Sequence, residues 1–146
     1  MNKRSVYFTL VMLALCLLLN GCISFTPQPD IPPEQVVTRF YRWYIGYPGN
    51  PLVDREYRYS PYLSAGFIDE IDATLDDFAL GGADPILLAQ DIPASFSIEQ
   101  ATTSDDQAQV DVHFYWGGNP TPSPRQIDLV RVNGQWVIDG VSIPED

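Results

Sequence analysis

Cysteine, histidine and lysine are nearly missing from this chain: it has two cysteines, one histidine and, at Lys3, a single lysine. With no lysine after residue 3, Schiff-base chemistry and a phosphate-loop lysine are excluded from the body of the chain. His-Glu-x-x-His, Gly-x-Ser-x-Gly and a phosphate-cradling glycine loop are missing as well, so neither a metal nor a cofactor is expected. Positive charge is scarce too, with 8 Lys and Arg against 19 Asp and Glu. Lys3 and Arg4 precede residue 22 and all the acids follow it, so from Cys22 onward the balance is 6 − 19 = −13. That sign argues against nucleic acid and against a polybasic membrane patch.

What is present begins with an export signal. Lys3 and Arg4 lead into an apolar stretch from Val6 to Leu19, and Leu19-Asn20-Gly21-Cys22 follows. A helix of that length covers about 21 Å, short of the roughly 30 Å hydrocarbon core, so it suits a signal peptide better than a permanent span. The last four residues resemble the bacterial lipobox, which implies cleavage before Cys22 and lipid on its sulfur. Cys16 would leave with the signal, so no internal disulfide is expected. The expected organisation is a signal peptide over 1–21, a lipidated tether over 22–33 and one domain over 34–146. The bilayer is then a partner through Cys22, and the domain lies outside the cytoplasm. Ile23 and Ser24 lack the aspartate that retains lipoproteins at an inner membrane. In a two-membrane cell the outer membrane is expected, otherwise the outer face of the plasma membrane.

Within the domain, Asp30 and Pro32-Pro33 open a helix, since proline fits the first turn. Val36, Phe40, Trp43, Tyr44 and Tyr47 give it one apolar face, and Tyr47-Pro48-Gly49-Asn50-Pro51 ends it. A second helix is predicted from Leu63 to Phe78, with an acidic far side bearing Asp69, Asp72 and Asp76, and Gly81-Gly82 closes it. Asp84-Pro85 is expected to cap a short turn through Leu88. From Ala94 the period becomes two: Phe96 and Ile98, then Ala108, Val110, Val112, Phe114 and Trp116. Ser104 to Gln107 is predicted as a turn. Asn133-Gly134 is a two-residue hairpin turn that sets Arg131 against Trp136, Leu129 against Ile138, Val130 against Val137, Ile127 against Gly140 and Asp128 against Asp139. The expected class is α+β, with two N-terminal helices packed on a curved four-stranded antiparallel meander.

Four stretches carry a resemblance: Phe40-Tyr41-Arg42-Trp43-Tyr44, Tyr62-Leu63-Ser64, Asp84-Pro85 with Ala89-Gln90-Asp91-Ile92-Pro93, and Gly134-Gln135-Trp136-Val137-Ile138-Asp139-Gly140-Val141. Together, over residues 35 to 142, they resemble a domain-of-unknown-function family of bacterial envelope lipoproteins with a cystatin-like, nuclear-transport-factor-like cone fold. The resemblance implies a conical pocket between helix and sheet and brings no catalytic residues.

Candidate functional residues fall in three places. Arg39 to Tyr62 holds Arg39, Arg42, Arg55 and Arg58 with six of the eight tyrosines. Forked guanidiniums and flat rings suit a protein partner or a small ligand, though Trp43 and its neighbours at helical spacing equally suit a core. Asp91 is a candidate for a pocket mouth, with backbone capping as the competing account. The polar sheet face gathers Asp111, His113, Tyr115, Asp128 and Asp139, of which His113 with Asp111 or Asp139 would serve a small isomerase or hydrolase, provided they line a concave pocket; otherwise they are the solvent side of the sheet. The leading expectation is a non-enzymatic domain that binds another envelope protein or a small ligand; the small cone-fold enzyme is the alternative, and a purely structural or immunity-type blocker, for which a flat acidic patch would matter more than a pocket, is the third reading.

Overall fold

The computed structural model describes residues 30–77 and 82–145. Cys22, the expected export signal over 1–21, Phe78 and Gly81 lie outside the described residues. Two helices, α1 (Pro33–Gly46) and α2 (Ala65–Asp77), precede five antiparallel strands, and no described helix is long and apolar enough to cross a membrane.

Helix α1 starts where the prolines predict, with the Pro32 carbonyl accepting from the N–H groups of Gln35 and Val36 at 2.9 and 3.1 Å. Its buried stripe is Val36, Val37, Phe40, Tyr41 and Tyr44. This corrects the expected face, because Trp43 and Tyr47 are only half-buried while Val37 and Tyr41 are in the core. The helix meets β3, β5 and the segment at Ile86 at once, so two adjacent i/i+4 rows are covered instead of one. Tyr41 meets Phe114 edge-on at 5.0 Å, and Trp43 is turned to the flank.

Between the helices, the Asn50 side chain accepts from Leu52 and Val53, Arg55 takes a left-handed φ of 56°, and a 3-10 turn follows over Glu56–Tyr59. Ser64 opens α2, its Oγ accepting from Phe67 N–H at 3.0 Å while donating to Asp139 Oδ1 at 2.5 Å. Ser64→Ala should therefore cost about 1–2 kcal/mol, the upper part of the range for a lost helix cap. The urea midpoint would show it, and a loss below about 0.3 kcal/mol would mean the cap is dispensable.

The strands are β1 (Ser95–Ile98), β2 (Thr102–Ser104), β3 (Gln107–Tyr115), β4 (Ser123–Val132) and β5 (Gln135–Ser142). Both β1 and β2 pair with β3, and the order continues through β4 to β5. The sheet thus has five strands where four were expected. Thr102 to Ser104 has no apolar face to announce a strand, yet the tight reversal at Asp105 and Asp106 folds it back onto β3. The Asn133-Gly134 hairpin forms as predicted, both residues at positive φ, and aligns Val130 with Val137 and Leu129 with Ile138. Beyond that pair the expected register fails. A bulge between Asp128 and Leu129 sets Asp128 against Gly140 and Ile127 against Val141, leaving Asp139 unpaired in the ladder. The extra residue keeps Val141, not Gly140, on the core side and frees Asp139 to reach Ser64.

One face of the sheet, with Val110, Val112, Phe114, Ile127, Leu129 and Ile138, packs on the helices, and the other carries Gln109, Asp111, His113 and Asp128. The outer edge of β5 is closed by the chain entering α2: Ile138 N–H donates to Tyr62 O and Ser64 N–H to Ile138 O, both at 2.8 Å.

Candidate functional site

The open flank of α1 is built from residues far apart in sequence. The entering chain supplies Ile31, the helix supplies Val36, Arg39 and Trp43, the 3-10 turn supplies Glu56 and Tyr59, and the edge segment supplies Pro61 and Tyr62. Gln135 and Trp136 complete it from the start of β5. Two adjoining depressions result, of about 140 and 350 Å³, sharing Arg39, Pro61 and Tyr62. Trp136 forms one end, covered by the Arg131 guanidinium 4.5 Å from its ring centroid, and Arg131 is held by Asp30 at 2.9 Å.

The 3-10 turn is fixed from beneath. Tyr57 is buried, its hydroxyl donating to Asp72, and Arg58 places Nε and Nη2 on the two Asp72 oxygens at 2.9 and 2.8 Å. The Tyr57 hydrogen bond, then Arg58, hold the Asp72 carboxyl below the usual aspartate value. Tyr59, next in sequence, is 81% exposed.

The predicted site residues therefore separate. Arg39 and Trp43 share a depression, whereas Arg58 is committed to Asp72 and Arg55 lies 3.6 Å from Asp76. Arg42 is exposed and makes no ion pair among the described residues. Asp91 lies on the rim of a separate cavity of about 520 Å³ with Gln90, Ile92, Val53 and Arg55, while its carbonyl accepts from Trp116 Nε1. Tyr59, Tyr62 and Trp136 join the Arg39 flank without having been singled out. Tyr59 and Tyr62 belonged to the tyrosine-rich stretch, but their exposure is a tertiary fact.

The candidate acid–base group does not assemble. His113 Nε2 stands 3.7 Å from Glu99 Oε1 on the open sheet face, Asp139 is engaged with Ser64, and Asp128 accepts from Gln109 at 2.9 Å. Asp128 and Asp139 do line one cavity, of about 510 Å³, with Thr102 and Gln109, but neither His113 nor Asp111 enters it.

At the opposite end from the Trp136 depression, the segment from Asp84 to Ala89 seals the core. Ile86 and Leu87 are fully buried, and Tyr41 Oη donates to Ile86 O. This segment has a structural task, its polar atoms being consumed by its own closure.

The molecule thus belongs, by architecture, to α+β domains with two helices on one face of an open antiparallel sheet. No protein-family model matches the chain, and no curated protein does. Among solved structures the fold is similar to a chain of the type VI native effector-immunity complex Tae3-Tai3 from Ralstonia pickettii, at TM-score 0.62 and 23% identity, over 79% of this chain and 97% of that one. The selenomethionine form of the same complex matches at TM-score 0.60 and 22% identity, over 78% and 97%.

Proposed function

We propose that this chain is an immunity-type lipoprotein: a non-enzymatic domain that binds a protein effector and blocks it, held outside the cytoplasm by lipid on Cys22. The observation that carries this is the extent of the shared fold, which takes in 97% of a chain whose structure is that of an effector-immunity complex. Fold likeness alone does not choose a function. Three further features favour this one. The charge of −13 from Cys22 onward disfavours nucleic acid, His113 does not join Asp128 and Asp139 in the cavity those two line, and the Arg39 flank offers aromatic and guanidinium groups of the kind enriched at protein interfaces. An export signal of the kind expected over 1–21 would suit a protector that meets its effector outside the cytoplasm. We also read the helices on their curved sheet as a cystatin-like cone, with the segment at Asp84 closing one end.

Two measurements test this. Each effector secreted by the producing strain's type VI apparatus, directed to the periplasm of a sensitive host, should be toxic alone, and this chain should relieve one of them. Relief of none would overturn the effector-binding reading. Separately, metabolic labelling with a palmitate analogue should mark the wild-type chain and leave Cys22→Ala unlabelled; label retained on Cys22→Ala would overturn the anchor.

A further inference from the structure

We propose that the effector is seated on the flank of α1 between Trp136 and Tyr59, with an apolar side chain of the effector in the depression and a carboxylate on Arg39. This rests on the reading of the chain as an immunity partner and names the surface that reading requires.

Charge is the first argument. Nineteen acids follow Cys22, and four of the six arginines there are committed: Arg55, Arg58 and Arg131 to carboxylates, Arg125 to backbone carbonyls. Arg39 and Arg42 make no ion pair among the described residues, and both project from the exposed side of α1. Arg39 donates only to the neutral Gln35 side chain, at 3.1 Å. In so acidic a chain, guanidiniums left without a carboxylate of their own suit a carboxylate brought by a partner, which a planar fork can grip with two parallel hydrogen bonds. Glu56, also on this rim, bounds the site and repels a carboxylate placed off Arg39.

Rigidity is the second. Tyr59 is the most exposed large apolar side chain described, yet it stands beside Tyr57 and Arg58, both fastened to Asp72. An exposed tyrosine on a fixed turn has its backbone already ordered, so covering it costs a partner only the two side-chain torsions. Trp43 and Tyr62 present further ring surface between Tyr59 and Trp136, giving a central aromatic cluster bordered by charge, the usual anatomy of a binding hot spot.

The experiment uses the full-length chain, lipidated or with its signal removed, and as probe the effector whose toxicity the wild type relieves. Tyr59→Ala and Arg39→Glu should each weaken binding about 30-fold or more. Both should keep the wild-type melting temperature, since both side chains are exposed. Gln109→Ala with Tyr115→Ala, on the open sheet face, should leave binding within threefold. If the flank variants bind within threefold of wild type, or if the sheet-face variant is the one that loses protection, the surface is wrong although the immunity reading stands. If wild type relieves no effector, that reading fails and the surface with it.

Discussion

Arg125→Met should destabilise the domain by roughly 2–4 kcal/mol, the cost of stranding one buried and one part-buried carbonyl, against a total stability on the order of 5–15 kcal/mol for a domain of this size. Arg125 is 5% exposed, on the core face of β4 in line with Ile127 and Leu129. Its Nε donates to Leu87 O and its Nη2 to Leu88 O, both at 2.9 Å, while Nη1 reaches Ser123 Oγ and Pro124 O at 2.9 and 2.7 Å. Among the described residues no carboxylate lies within ion-pairing distance, so carbonyl dipoles satisfy the charge. Burial accordingly draws its pKa below the ordinary arginine value. Methionine fills much of the space and donates nothing, so the deficit reports the hydrogen bonds more than the packing. Arg125→Lys should recover little, because one ammonium cannot span Leu87 O and Leu88 O as the guanidinium fork does. Equilibrium urea unfolding measures both variants, and a loss under 1 kcal/mol for Arg125→Met would show that water reaches these carbonyls.

That arginine also shows where sequence reasoning stopped. Residues 125, 127 and 129 alternate onto one face, so the period-two pattern places Arg125 inward, but its charge argues for solvent, and only the nearby Leu87 and Leu88 carbonyls reverse the argument. Features governed by local chemistry were legible: the proline start of α1, the Asn133-Gly134 hairpin, and the Asp84 cap. Features governed by long-range fit were not. Alternation assumes one residue opposite one, so the bulge that unpairs Asp139 is invisible until Ser64 is found beside it. Strand β2 has only polar residues and is made by the turn that follows it. Trp43 and Val37 exchange places between flank and core because helical spacing gives the width of an apolar stripe only after the opposing surface is known. The candidate binding flank was half legible, since Arg39 and Trp43 lie on one helix while Tyr62 and Trp136 arrive from the edge of the sheet.

Asp84→Ala should be the other severe change, again roughly 2–5 kcal/mol, because three donors lose one acceptor group. Asp84 Oδ1 accepts from Ile86 and Leu87 N–H at 2.7 and 3.0 Å, and Oδ2 accepts from Tyr44 Oη at 2.7 Å. With Arg125 on the carbonyls of Leu87 and Leu88, the closing turn has a carboxylate at its N–H end and a guanidinium at its C=O end, the favoured sense of charge for a helical turn. Asp84→Asn keeps an acceptor for the two N–H groups, so it separates the effect of shape from that of charge. Burial is the largest influence on the carboxyl and pushes its pKa above the ordinary 3.8, overriding the hydrogen bonds from Tyr44, Ile86 and Leu87 that pull the other way. A carboxyl with a raised folded pKa binds its proton more readily folded than unfolded, so acidification favours the native state between the raised value and the ordinary one. The stability of the wild type relative to Asp84→Asn should therefore rise as pH falls through that window and level off below it. Taking the difference cancels background that both proteins share, including Asp72, whose lowered pKa acts in the opposite direction. Chemical unfolding at a series of pH values from neutral downward decides the matter. If the wild type instead loses ground to Asp84→Asn on acidification, the three hydrogen bonds outweigh burial and the closing turn is held by an anion that the fold prefers charged.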